Sequence, residues 1–166
     1  MALIVFVCTG NICRSPMAEG ILRSKLAKKG ITHIQVSSMG THGLKNSEPA
    51  PLSSLVCLKN GIDISNHRSR TLVAHELISS SLIFVMEIVH IEYLYSFFPV
   101  VKDKCYMLRS WPKTGNRKHN VKDPMGGALG LYKKTYREID KTIERILPML
   151  LSEFPKDQSR LQPPST

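Results

Sequence analysis

Residues 2–16, ALIVFVCTGNICRSP, set the architecture of this 166-residue chain. The stretch opens with a continuous apolar run rich in β-branched residues, which is typical of a strand buried on both faces of a parallel sheet. Gly10 and Asn11 follow, and both residue types tolerate left-handed backbone. Ser15 is then a good helix N-cap, and Pro16 is a good first helical residue. The sequence therefore predicts a strand, a tight loop and a helix in direct succession.

Strands and helices alternate through the rest of the chain. Apolar runs and helical spacing predict, in order, a first helix ending at Gly30, a strand at 34–38, a helix at 51–60, a strand at 81–86, a short helix at 90–98, a strand at 105–108 and an amphipathic helix at 131–151 that Pro148 breaks or kinks. This order predicts an α/β fold: a single domain with an open four-stranded parallel sheet flanked by helices. Ligands of such sheets bind at the carboxyl ends of the strands.

The composition is that of an ordinary globular domain. The chain is 42% hydrophobic, which excludes disordered and fibrous classes, and its length supports one core without metals or disulfides. Residues 1–151 are predicted to form this domain, and the polar, proline-rich residues 152–166 a disordered tail. The first apolar run is too short for a signal peptide or a membrane span. We therefore expect a cytoplasmic protein with reduced cysteines and no membrane insertion.

The net charge of +10 indicates anionic partners. The basic residues are scattered, with no long block and no RNA-binding or zinc-finger signature, so no specific nucleic-acid partner is predicted. Phosphorylated proteins are the expected substrates, and a monomer or weak dimer is the expected state. The sequence contains no cluster with zinc-ligand spacing, so no metal and no cofactor are predicted.

Residues 8–15, called the phosphate-binding loop below, carry the predicted chemistry. Cys8 ends the first strand, and Arg14 follows it in a C-x5-R pattern. A short loop closing on a helix N-terminus turns its backbone N–H groups inward and forms an anion site with the helix dipole behind it. Such a field favours a nucleophilic thiolate and holds a tetrahedral oxyanion. The planar guanidinium of Arg14 binds two phosphoryl oxygens at once.

Residues 7–19, VCTGNICRSPMAE, resemble the signature of the low-molecular-weight protein tyrosine phosphatases. Three later segments are similar to further motifs of that family: 37–41 (SSMGT), 61–70 (GIDISNHRSR) and 123–124 (DP). The segments occur in the family's order, and the resemblance extends from about residue 2 to residue 150. It implies the family's fold and a phosphatase activity.

The resemblance also implies roles for individual residues. Cys8 is expected to be the nucleophile, Arg14 the binder of the phosphoryl oxygens and Asp123 the general acid and base. The expected phosphate-binding residues are Thr9, Gly10, Asn11, Ile12, Cys13, Arg14 and Ser15. By the same resemblance Ser15 donates a hydrogen bond to the thiolate, while Ser38 and His67 support Asn11 from behind.

The roles of the remaining cysteines follow from their surroundings in the sequence and from the resemblance. Cys57 and Cys105 lie in apolar stretches and are expected to be inert, buried thiols. The resemblance suggests that Cys13 forms a reversible disulfide with Cys8, and a neutral packing role for Cys13 is the alternative.

The motifs leave the substrate open between two classes. Leu44 and Met125 stand near positions where tyrosine-directed members carry aromatic residues. The D-P-x-G-G form at 123–127 resembles a bacterial branch that includes protein arginine phosphatases. In that branch the loop residue equivalent to Ile12 is a threonine. Because Ile12 is the residue of the aryl-phosphate form, phosphotyrosine is the favoured substrate and phosphoarginine the alternative.

Two other function classes are less favoured. An arsenate reductase on this scaffold needs neighbouring resolving cysteines near the middle of the chain, and only Cys57 and Cys105 are available, far apart in the sequence. A non-catalytic phosphate-binding module would be expected to have lost Cys8 or Asp123, and both are present.

Overall fold

Four parallel strands form the central sheet of the computed structural model, which describes residues 1–156. The strands are β1 (Ala2–Cys8), β2 (Ile34–Gly40), β3 (Leu82–Val85) and β4 (Cys105–Met107), in the spatial order β2-β1-β3-β4. All neighbouring strands pair in parallel. Strand β1 lies inside the sheet because its side chains are apolar on both faces. The predicted α/β class and the open four-stranded parallel sheet are confirmed.

Helices cover both faces of this sheet. They are α1 (Arg14–Lys28), α2 (Pro51–Lys59), α3 (Ala74–Ser79), α4 (Ile88–Phe97) and α5 (Leu129–Glu153), with 3-10 turns at Pro99–Lys104 and Arg117–His119. On one face, Ile4 and Phe6 of β1 pack in a core with α1, α2 and α5. On the other face, Val5 and Val7 pack in a second core with α3 and α4. Alternate residues of one strand thus serve two cores.

Two helix boundaries differ from the prediction. Helix α1 begins at Arg14 with Cys13 at the N-cap, because the hydroxyl of Ser15 contacts the sulfur of Cys8 instead of capping the helix. Helix α5 begins at Leu129 and ends at Glu153, two residues beyond the predicted 131–151 at each end, and it continues through Pro148. The buried Leu147 and Leu150 hold the helix against the core on both sides of this proline.

The end of the described chain lies close to the predicted domain boundary. Helix α5 continues to Glu153, and Phe154 packs against the core. The rest of the predicted tail, from residue 157, lies outside the described residues, so the division into domain and tail stays a prediction. Within residues 1–156 no helix is both long and apolar enough to cross a membrane.

Short elements account for the other differences. Helix α3 was not predicted, since it has only six residues and only Leu77 among them is buried, which leaves no periodicity to detect. Strand β2 extends to Gly40, which pairs with Cys8 at the end of β1. A side chain at Gly40 would meet the carbonyl oxygen of Thr9 at 2.4 Å. Glycine therefore lets β2 approach the phosphate-binding loop closely.

Candidate active site

The sulfur of Cys8 lies at the carboxyl end of β1 and receives hydrogen bonds from the loop that follows. The residue is 2% exposed. The Ser15 hydroxyl lies 2.9 Å from its Sγ, and the backbone N–H of Asn11 donates to the same atom at 3.3 Å. Donors that face the sulfur stabilise its thiolate form, which is the nucleophilic one.

The carbonyl groups of residues 8–12 all accept hydrogen bonds from outside the loop. Their donors are, in order, the backbone N–H groups of Thr41, His42 and Leu44, the imidazole of His67 and the backbone N–H of Ala50, at 2.8–3.3 Å. Since C=O and N–H point in opposite directions across a trans peptide, these outward carbonyls leave the loop amides facing inward. The loop therefore presents a ring of N–H donors to an anion.

Asn11 holds this loop in its shape. Its φ is 56°, in the left-handed region, and the residue is fully buried. Such a backbone costs about 1 kcal/mol or more for a non-glycine residue. The side chain offsets this cost by donating to Ser15 Oγ and Ser38 Oγ, each at 2.9 Å, and by accepting from the Arg70 N–H at 2.9 Å.

A second layer of polar groups supports Asn11 from below. Ser38 donates to Glu19 Oε2 at 2.6 Å, and the His67 Nε2 lies 2.8 Å from the Asn11 carbonyl oxygen. The other ring nitrogen of His67 lies 3.8 Å from the same Glu19 oxygen. The structure thus places Ser38 and His67 against Asn11, and it adds Glu19, for which the sequence suggested no role.

Arg14 closes the loop and is almost completely buried, at 1% exposure. Its Nη1 donates to Glu87 Oε2 at 2.6 Å and to the Val121 carbonyl at 2.9 Å, and its Nη2 donates to Asp123 Oδ2 at 2.7 Å. Among the residues described, the buried Nε of Arg14 has no hydrogen-bond partner. A buried donor of a charged group needs an acceptor, and a phosphoryl oxygen in the loop would supply one.

Asp123 comes to the loop from a distant part of the chain. It lies 109 positions after Arg14 in the sequence, and only the fold brings the two together. Its side chain is 43% exposed, and its Oδ1 accepts the N–H of Met125 at 3.1 Å. The carboxylate is therefore bound by the guanidinium on one side and open to solvent on the other, beside the anion site.

The four cysteines have different surroundings, and all are free thiols. Burial raises the pKa of Cys57 and of Cys105 to about 12, as expected for inert core residues. Burial also raises the pKa of Cys13, whose sulfur lies 3.9 Å from the Tyr132 hydroxyl. The sulfur of Cys8, by contrast, faces the Ser15 hydroxyl and the backbone N–H of Asn11.

Three apolar residues lie in the loop or are hydrogen-bonded to the loop or to Asp123. The N–H of Leu44 donates to the Gly10 carbonyl, which places this 48% exposed residue beside the loop. Met125 is 54% exposed and lies next to Asp123. Ile12 is half-buried against the core. These three side chains offer apolar contacts and no strong hydrogen-bond acceptor.

The junction between β3 and α4 also contributes to the site, and the sequence did not predict its role. Glu87, which binds Arg14, follows Met86 directly after the third strand. His90, buried three residues later, lies within hydrogen-bond distance of Thr9. The one available signal was position, because polar residues at the carboxyl end of a central parallel strand lie at the ligand-binding edge. Within residues 1–156 no group of three or more His, Cys, Asp or Glu side chains has the arrangement of a metal site.

Comparison with known proteins places this geometry in a family. The family model described as "Low molecular weight phosphotyrosine protein phosphatase" matches residues 3–160. A protein-arginine-phosphatase of Bacillus subtilis (strain 168) is 33% identical over 93% of this chain and 98% of its own. A low molecular weight protein-tyrosine-phosphatase of Streptomyces coelicolor is 33% identical over 75% of this chain and 78% of its own.

A solved structure has the same fold. The low molecular weight protein tyrosine phosphatase from T. tengcongensis aligns with a TM-score of 0.83 at 33% identity, covering 90% of this chain and 99% of that one. The family match extends over nearly the whole sequence. This chain therefore belongs to the low-molecular-weight phosphotyrosine protein phosphatase family and is a protein phosphatase.

Proposed function

We propose that the chain hydrolyses phosphotyrosine and other aryl phosphate monoesters through a cysteinyl-phosphate intermediate. The observation that carries this proposal is that the side chains of Cys8, Arg14, Ser15 and Asp123 lie together at the carboxyl end of the sheet. The Ser15 hydroxyl contacts the sulfur of Cys8, and Asp123 contacts the guanidinium of Arg14 beside the ring of loop amides. Nucleophile, anion site and acid are the groups that phosphoryl transfer needs.

In the first step the Cys8 thiolate attacks phosphorus, and the bond from phosphorus to the phenolic oxygen breaks. Arg14 and the loop N–H groups bind the three remaining oxygens, where charge is held in the transition state. A phosphoryl oxygen that contacts Arg14 competes with Asp123 for Nη2, which now binds the carboxylate at 2.7 Å. Asp123, in its protonated form, then donates its proton to the leaving oxygen.

In the second step water attacks phosphorus, and the sulfur–phosphorus bond breaks. The Asp123 carboxylate takes a proton from the water, and the thiolate leaves with its electron pair while Ser15 donates a hydrogen bond to it. The products are inorganic phosphate and the starting enzyme. Side chains of this chain fill every proton and charge role in the scheme, so it includes no metal ion and no cofactor.

The residues around the loop support an aryl substrate. A phenyl ring requires apolar contacts, and Ile12, Leu44 and Met125 provide them near the loop. A phosphoguanidine carries N–H donors instead, which need acceptors when they leave water. The apolar side chain of Ile12, which lies within the loop, supplies none.

Phosphoarginine is the second candidate substrate. It is favoured by the D-P-M-G-G sequence at 123–127 and by the B. subtilis relative, which is named an arginine phosphatase. Relatives with either name reach 33% identity, so overall similarity does not separate the two substrates.

Cys13 is proposed to protect the nucleophile from irreversible oxidation. Peroxide would oxidise the Cys8 thiolate to a sulfenic acid, which the Cys13 thiol would convert to a disulfide with release of water. Phosphorylated proteins are the proposed substrates, the cytoplasm the proposed compartment, and a monomer or weak dimer the proposed state.

Steady-state hydrolysis of p-nitrophenyl phosphate, a phosphotyrosine peptide and a phosphoarginine peptide tests the proposal, with a chelator present. We expect the wild type to hydrolyse both aryl phosphates and the Cys8→Ser variant to show no turnover. Cys57→Ser is the matched control, since Cys57 is buried in the core on α2 and should leave kcat unchanged. Preference for phosphoarginine would keep the mechanism and change the assigned substrate. Failure to hydrolyse any of the three substrates would refute the proposed activity.

Substitution of Ile12 by threonine tests the substrate assignment directly. If the apolar side chain selects aryl phosphates, Ile12→Thr should raise kcat/KM for phosphoarginine relative to phosphotyrosine by about tenfold, the effect of about 1.4 kcal/mol. Ile12→Val keeps an apolar, β-branched side chain and is the control. An unchanged ratio in Ile12→Thr would show that Ile12 does not set specificity.

A further inference from the structure

The imidazole of His90 connects the two ends of the phosphate-binding loop. His90 lies in the first turn of α4 and is 2% exposed. Its Nε2 is 2.9 Å from Thr9 Oγ1, and its Nδ1 accepts the Glu87 N–H at 3.1 Å. The Glu87 carboxylate in turn binds Arg14 at 2.6 Å. A continuous series of contacts thus runs from the residue after the nucleophile to the arginine that closes the loop.

These contacts fix the tautomer of the ring. Because Nδ1 faces an N–H donor, it carries no proton, so the neutral ring has its proton on Nε2 and donates it to Thr9. Burial, together with the positive charge of Arg14, lowers the pKa of His90 to about 3. The ring therefore stays neutral at ordinary pH and keeps this hydrogen-bond arrangement.

Glu87 depends on the same residue. The His90 imidazole accepts the backbone N–H of Glu87 at 3.1 Å, and the backbone N–H of His90 donates to the Glu87 carbonyl at 3.0 Å, so two hydrogen bonds connect these residues at the start of α4. From this backbone position the Glu87 carboxylate reaches Arg14 at 2.6 Å. A shift of the imidazole would move Glu87 on one side and Thr9 on the other.

We propose that His90 is a positioning residue for phosphoryl binding: it fixes Thr9 directly and Arg14 through Glu87. The amide donors at the start of the loop and the guanidinium at its end then meet the phosphoryl group in one geometry. This inference rests on the proposed function and concerns the same site. His90 does not touch the reacting atoms.

Three variants separate the two halves of this connection. His90→Asn keeps an acceptor oxygen near the Nδ1 position for Glu87 and cannot reach Thr9. His90→Gln keeps a donor that reaches Thr9 and loses the acceptor for Glu87. Thr9→Val removes the hydroxyl at an exposed position and opens no cavity. His33→Asn is the matched control, because the Nε2 of His33 bonds the Phe154 carbonyl at 2.9 Å, beyond the amino end of β2.

The readouts are kcat and KM for p-nitrophenyl phosphate, the affinity for inorganic phosphate by calorimetry, and the thermal unfolding midpoint. We expect His90→Asn and Thr9→Val each to lower kcat/KM by roughly 10- to 100-fold, the range that displaced catalytic groups produce, and to weaken phosphate binding. Adding Thr9→Val to His90→Asn should cause no further loss, since the shared contact is already broken. His33→Asn should match the wild type.

Three results would overturn the inference while the wild type remains active. One is kcat/KM within twofold of wild type in both Thr9→Val and His90→Asn. Another is a double variant in which the two losses simply add. The third is a lower unfolding midpoint in the His90 variants with kcat, KM and phosphate affinity unchanged per folded molecule, which indicates a purely structural role. An inactive wild type would refute the proposed function instead, and phosphate affinity would still decide the role of His90, since equal affinity in all variants contradicts it.

Discussion

The phosphate-binding loop has two neighbours that are built in opposite ways. Below it lies the support layer, formed by Glu19, Ser38 and His67 around Asn11. Above it lies the acid segment, residues 123–127, which carries Asp123. The support layer is buried or nearly so, and hydrogen bonds connect each of its members. The carboxylate of the acid segment is 43% exposed and is bound to the loop through one ion pair with Arg14.

This difference matches the two tasks of a phosphatase. A ring of N–H donors stabilises a transition state only if it is already in place, so the groups that shape it must be rigid. The general acid must exchange protons with water and release its ion pair when a phosphoryl group arrives. Exposure and weak attachment suit that task. Stability and catalysis should therefore respond differently to substitutions in the two regions.

Asp123→Asn is expected to have the largest effect on catalysis and little on stability. The amide keeps the size of the side chain and loses the transferable proton, so kcat should fall on the order of 10²-fold or more for a phosphotyrosine peptide. The loss should be smaller for p-nitrophenyl phosphate, because its leaving group depends less on being protonated as it departs. The Asp123 side chain is 43% exposed, and asparagine keeps an oxygen that can accept from the buried guanidinium of Arg14, so the free energy of unfolding should change by only about 1 kcal/mol.

The control for this variant is Asp103→Asn, a change in the 3-10 turn before β4, outside the site. It should leave kcat and the leaving-group dependence at wild-type values. If Asp123→Asn hydrolyses phosphotyrosine at the wild-type rate, Asp123 is not the acid and the proposed first step is wrong.

Ser38→Ala should show the reverse pattern, with a clear loss of stability. The change removes the acceptor of Asn11 and the donor to Glu19, which leaves buried polar atoms unsatisfied at a cost of about 1–3 kcal/mol. We expect a drop of roughly tenfold in kcat/KM as the loop loses its shape. Chemical denaturation and steady-state kinetics measure the two effects.

Ser37→Ala is the matched control on the same strand. The Ser37 hydroxyl is buried and has no hydrogen-bond partner among the described residues, so its removal should cost little in either measurement. Equal losses in the two alanine variants would show that the support layer has no special role.

Elements formed by adjacent residues could be predicted from the sequence, whereas contacts between residues far apart in the chain could not. The apolar run of β1 and the Gly10–Asn11 turn are adjacent in the chain, so the strand, loop and helix could be predicted from them. The side chain of Ser15 was misinterpreted as a cap, because a hydroxyl that suits a helix N-terminus also suits a neighbouring sulfur. Arg14 and Asp123 are 109 positions apart, and only the resemblance suggested Asp123 as a site residue, without its ion pair.

Glu87 and His90 show the limit most clearly. Nothing in the sequence around them distinguishes a helix start that supports Arg14 from an ordinary one, since both contain polar residues at the helix N-terminus. A histidine on an apolar helix face is compatible with simple packing. Their role depends on which loop the end of β3 faces, and that is a property of the strand order.

The pH dependence of stability tests whether the buried support extends from below the loop to the side of α4, where His90 lies. Its pKa is about 3 in the folded protein and about 6.5 in an unfolded chain. Between these values the unfolded state binds the additional proton, so the free energy of unfolding rises with pH. The contribution of the neutral ring is complete above about pH 6.5 and is lost progressively as the pH falls toward 3, by at most about 1.4 kcal/mol per pH unit.

Denaturation of the wild type and of His90→Asn between pH 7.5 and pH 4.5 measures this effect. Asparagine does not titrate, so the variant should lose less stability over this range than the wild type, and the two curves should converge toward acid pH. Aspartate and glutamate groups contribute equally to both proteins and cancel in the difference. Parallel curves would mean that His90 binds a proton in the folded state as readily as in water. The side of the loop near α4 would then resemble the open acid segment rather than the buried support layer.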